Sequence, residues 1–174
     1  QSIITDGNEG GSFTFDDIFV RNYSTGKMEV VSLSVGGTQG GGTTGDAGGD
    51  GLTPPQISAN GQFVSFTSKA QDLVSNWNGA GPWETHLFRR DLVNETMILV
   101  DKVPNPGSPS QNSPGDDFSS NSSISGDGRY IAFESIAGNL VTGVPELGGG
   151  DLDIFLRDCN GDKITHLSQA PDGT

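Results

Sequence analysis

The sequence predicts an all-β fold: β-propeller blades of four antiparallel strands, about two and a half of them in this chain, which leaves the ring incomplete. Three observations predict it. The stretch ISANGQFVSFTS at 57–68 returns as ISGDGRYIAFES at 124–135, an offset of 67 residues. A second matched stretch follows each copy. Leu87-Phe88-Arg89-Arg90-Asp91 aligns with Ile154-Phe155-Leu156-Arg157-Asp158 at the same offset, and Ile18-Phe19-Val20-Arg21-Asn22 adds a third copy 69 residues upstream of Leu87. Finally, the apolar residues fall in short alternating runs between Gly, Ser, Asn, Asp and Pro stretches, with no 3.6-residue period. A repeat of this length is one supersecondary unit, and it buries its faces only by stacking on its neighbours.

The elements follow in order. Residues 1–35 hold the second half of a blade, with strands at 17–22 and 27–33 around the turn Ser24-Thr25-Gly26. Residues 36–53 form a long inter-blade loop. Residues 54–103 make a complete blade, with strands at 55–59, 62–68, 85–91 and 96–103. Its first two strands join at Asn60-Gly61, a two-residue hairpin signal of the kind that requires positive φ. Phe63 and Ser65 then share one face, and Val64 and Phe66 the other. A second long loop, 104–119, leads into the last complete blade, 120–169, with strands at 122–125, 129–135, 153–158 and 163–168 and turns at Asp127-Gly128 and Asn160-Gly161. Closed propellers need about four to eight blades. The register therefore leads us to expect either a piece of a longer propeller or a chain that closes by association. An open arc would expose apolar faces and strand edges.

The totals narrow the function classes. A chain of 174 residues reads as one domain. Net charge is −13, from 22 acidic and 9 basic residues. That argues against nucleic-acid binding, which requires a basic footprint. No apolar run is long enough for a membrane helix and no signal peptide is evident, so membrane insertion is not expected. Cys159 is the only cysteine, so an internal disulfide is excluded. Its pairing with His166 as a nucleophile has no activating context in the sequence.

Antiparallel alternation places all the long loops on one side and the short turns on the other. The long loops carry Asp6, Glu9, Asp16, Asp46, Asp50, Glu84, Asp116, Asp117, Glu146 and Asp151, so that side is expected to be acidic. Calcium takes six to eight oxygen ligands in irregular geometry. Asp6, Asn8, Asp16 and Asp17 form the leading candidate loop for it, and Asp151 with Asp153 a weaker one. Neither matches the EF-hand spacing, and the competing reading is that these side chains cap turns through their own backbone. Trp77 and Trp83 flank one long loop. They are positioned to stack on a sugar ring or anchor a partner, or else to fold back over the blade edge.

The pattern I-S-x-[DN]-G-[RQ]-[YF]-[IV]-x-F, followed by a D-I-F-x-R-D strand, resembles the TolB-type propeller repeat of bacterial proteins. Ile57 to Phe66, Ile124 to Phe133, Asp153 to Asp158 and Asp17 to Asn22 carry the resemblance. Three departures stand out: Asn60 where Asp is usual, Thr85-His86 in the middle unit where its neighbours carry acidic residues, and a unit of 67 to 69 residues where blades commonly take about 40–45. The resemblance implies the fold and an extracellular, cell-surface or periplasmic setting. It names no single activity, because the repeat serves periplasmic scaffolds, peptidase-associated propellers and lyases alike. With no triad, nucleophile elbow or metal-hydrolase cluster, the expected function is a non-catalytic module for protein–protein association or structural self-assembly. Its partner would be a protein or further copies or blades of itself, and calcium is the one candidate cofactor. The alternatives are a lyase or glycosidase in which Asp16, Asp116 and Asp151 converge on the acidic side, or a calcium-dependent carbohydrate binder using Trp77 and Trp83.

Overall fold

The computed structural model describes residues 17–35, 53–79, 84–104, 111–143 and 150–168. They form ten strands, β1 Phe19–Arg21, β2 Met28–Val30, β3 Gln56–Ile57, β4 Phe63–Ser68, β5 His86–Asp91, β6 Thr96–Leu99, β7 Ser119–Ile124, β8 Tyr130–Ser135, β9 Asp153–Asp158 and β10 Lys163–His166. No helix occurs among the described residues. The first sheet is the antiparallel pair β1-β2. The second runs β3-β4-β5-β6 and the third β10-β9-β8-β7, each antiparallel and ordered as in sequence. The all-β expectation and the order of strands hold.

The repeated sequence has a local cause. Ser58 donates its hydroxyl to Asn60 Oδ1 at 2.6 Å and accepts the Phe63 amide, while Asn60 Oδ1 also accepts the Gln62 amide. Ser125, Asp127, Tyr130 and Arg129 repeat that set. Asn60 therefore does the work of Asp at this position, because only an acceptor oxygen is needed. Gly61 N bonds Ser58 O and Gly128 N bonds Ser125 O, so each turn closes one residue earlier than Asn60-Gly61 alone suggests. The expected two-residue hairpin is thus a longer connection spanning 58–62, in which only the glycine takes positive φ, 71° at Gly61 and 74° at Gly128. At the other hairpins, Asn22, Asp91 and Asp158 cap the turn by accepting backbone amides two and three residues on.

The sheets stack face to face through two apolar layers. Ile18 and Val31 of the first sheet pack with Val64, Phe66, Phe88 and Leu99 of the second. Leu87 and Val100, from the opposite face of the second sheet, pack with Ile131, Phe133, Phe155 and Ile164 of the third. Ring pairs repeat at the same positions, Phe66 on Phe88 at 5.9 Å and Phe133 on Phe155 at 5.6 Å. Polar ties cross the second layer. Arg89 lies 4.5 Å over the Phe63 ring and donates to Gly128 O at 2.6 Å, and Ser65 and Ser122 share a buried hydrogen bond.

Candidate functional site

On the long-loop side, one corner motif recurs in all three sheets. The residue before or at the start of strands β1, β5 and β9 faces a residue 15 positions later: Asp17 with Ser32, His86 with Asp101, and Asp153 with Ser168. In each, the later side chain accepts the amide of the next strand residue, Ile18, Leu87 or Ile154. In the outer two sheets the serine also donates to the aspartate, at 2.8 Å and 2.7 Å. The second sheet reverses the roles. Buried Asp101 accepts from the Ser119 hydroxyl at 2.8 Å and lies 3.0 Å from His86 Nδ1. Burial opposes a charge on His86, but Asp101, aided by Glu84 and Asp117, outweighs it and raises the imidazole above its ordinary value of 6.5.

Two candidate calcium ligands, Asp17 and Asp153, therefore serve as corner residues. Burial works against the Asp153 carboxylate, yet bonds from Ser168 and His166 hold it below the usual range. Asp151 is exposed just ahead of β9. Asp6, Asn8 and Asp16 lie outside the described residues. Among the described residues no group of three or more His, Cys, Asp or Glu side chains is placed to hold a metal ion.

Trp77 is turned inward. Its ring stacks on Phe88 at 6.4 Å and meets His86 edge-on at 5.4 Å. A side chain at Gly79 would strike the same ring at 2.7 Å. Trp83 lies outside the described residues. Beside Trp77 a cleft of about 350 Å³ is lined by Asn78, Glu84, Ser113, Asp116 and Asn139 among others. Asp116 is there, tied to the Gly138 amide and, through its own amide, to Asn139, but Asp151 is not among the lining residues. Cys159 and His166 do not pair: His166 sits opposite Phe155, at the far end of the β9–β10 hairpin, and stacks on it. Burial also pushes the Cys159 thiol up, away from the reactive thiolate.

The feature that residue-by-residue reading missed is the outer face of the third sheet. Ile154, Leu156 and Leu167 occupy the positions of Leu87, Arg89 and Val100, and Leu152 that of Thr85. In the second sheet the third sheet covers these positions, and Leu87 and Val100 are 0% exposed. In the third sheet Leu152 is 54% and Leu167 49% exposed, and Tyr130, on the same face at the other end of the strands, is 37% exposed. The 67-residue offset carried the signal, since it places leucines where the preceding unit has Thr85 and Arg89.

Neither the family models nor the curated proteins contain a match to this chain. Among solved structures, TolB from Acinetobacter baumannii shows a weak structural similarity, with 16% identity and a TM-score of 0.28. The match covers 89% of this chain and 39% of that one, so the chain spans well under half the length of the TolB it resembles.

Proposed function

We propose that this chain is a non-catalytic protein-association module made of stacked propeller-type blades, acting outside the cytoplasm, with the outer face of β7–β10 as its working surface. One observation carries the reading. Leu152 and Leu167 stand about half exposed on a face whose counterpart in the second sheet is fully sealed by another sheet. Burying a leucine side chain is worth about 1.5–3 kcal/mol, so several such residues on one face favour a covering protein surface. Sedimentation of the chain against a Leu167→Glu variant tests it. The expected result is a mass that rises with concentration in the parent and rises less in the variant. A parent whose mass never rises, in the presence or absence of a calcium chelator, would count against association and against calcium as its support.

The cleft beside Trp77 supports a second reading, carbohydrate binding, because Asn78, Glu84, Ser113, Asp116 and Asn139 offer sugar hydroxyls several partners. A saturable change in tryptophan fluorescence on titration with a glycan, abolished in Asp116→Ala, is its test.

A further inference from the structure

We propose that copies of this chain associate head to tail, the outer face of β7–β10 in one copy seating on the outer face of β1–β2 in the next. The proposal rests on the association reading and names the partner.

The chain builds this kind of interface twice within itself. On one side of each layer stands an aliphatic pair from the third and fourth strands of a unit, Ile18 with Val31 and then Leu87 with Val100. On the other side stand a phenylalanine and its neighbour from the following unit, Phe88 with Met97 and then Phe155 with Ile164. The ends of the stack display the two unmatched halves. Ile154 and Leu167 repeat the first kind, while Phe19 and Met28 repeat the second. Phe19 is 50% and Met28 58% exposed, against 0% for both Phe88 and Phe155. Val30, on the same side of β2, is already buried, which leaves Phe19 and Met28 as the open pair.

The head face is apolar at one end. Thr85 and Arg89 of the covered sheet give way to Leu152 and Leu156 and Ser65 to Ala132, while Thr67 gives way to Glu134, Thr96 to Lys163 and Ile98 to Thr165, so the open apolar strip runs along Leu152, Ile154, Leu156 and Leu167. Among the described strands, the contact sets β9 and β10 of one copy against β1 and β2 of the next. A head-to-tail contact joins unlike surfaces, so it continues into a ring or a filament instead of stopping at a dimer.

Two double variants of the full chain test this: Phe19→Glu with Met28→Glu, which blocks the tail, and Leu152→Glu with Leu167→Glu, which blocks the head. All four positions are about half exposed, and circular dichroism with an unfolding midpoint checks that each variant folds. If one does not, serine replaces glutamate at the same positions. Light-scattering mass is the readout. The parent is expected to pass beyond a dimer as concentration rises, each variant alone to remain a monomer, and an equal mixture to reach twice the monomer mass and no more. A tail-blocked variant that dimerises alone would overturn the head-to-tail arrangement in favour of two head faces pairing, leaving the association reading intact. A parent that stays monomeric throughout would overturn both.

Discussion

Asp101 is wholly buried and accepts hydrogen bonds from the Leu87 amide and Ser119 while facing His86. Removing one partner of a buried charged pair costs about 3–5 kcal/mol, because the other is left without compensation. We expect Asp101→Ala to lower stability to chemical denaturation by that order. The repeat supplies the rescue. His86→Asp combined with Asp101→Ser recreates the corner of the first and third sheets, and the double variant is expected to be more stable than Asp101→Ser alone. A cycle showing additive losses would mean the two positions act independently. The pair also sets a pH dependence. The folded-state value of His86 is raised above 6.5, so its contribution is whole below 6.5 and is lost as pH rises through the raised value. Denaturant titrations across that range should show stability falling on the alkaline side in the parent and a flatter profile in the double variant.

At the scale of elements, most strands were legible because alternation and turn residues repeat together. All ten expected strands are present, while their ends differ for local reasons. The strand expected at 122–125 begins at Ser119, because a bulge between Ser120 and Ser123, with Asn121 at a φ of 47°, lets β7 pair further along β8. The strand expected at 96–103 ends at Leu99, since the chain leaves the ladder to form the Asp101 corner. The two turn glycines, alike in sequence, differ in packing. A Cβ at Gly128 would lie 2.0 Å from the Phe63 ring of the preceding sheet, whereas one at Gly61 meets nothing within 4 Å. Both hold positive φ, so Gly61→Ala should cost about 1–2 kcal/mol by backbone strain alone. Gly128→Ala should cost clearly more, as read from the two unfolding midpoints, because it also forces the sheets apart. Equal losses would show that the Phe63 contact contributes nothing.

On the scale of the whole molecule, the sequence pattern identified stacked units but not which faces stay open. That depends on which neighbour is present, and a face is recognised as open only when its repeat partner is seen to be sealed. The candidate site was less legible for a related reason. Asp17, Asp153 and Trp77 are residue types that bind ligands, yet here the first two close sheet corners and Trp77 packs on Phe88 and His86. The apolar ends, by contrast, are assembled from residues that look ordinary one at a time. The most direct measurement is hydroxyl-radical footprinting read by mass spectrometry at low and high protein concentration. The account predicts that Leu152, Leu167, Phe19 and Met28 lose reactivity as concentration rises, while Tyr23 and Val93, exposed in hairpin turns, keep theirs. Unchanged reactivity at Leu152 and Leu167 would contradict it.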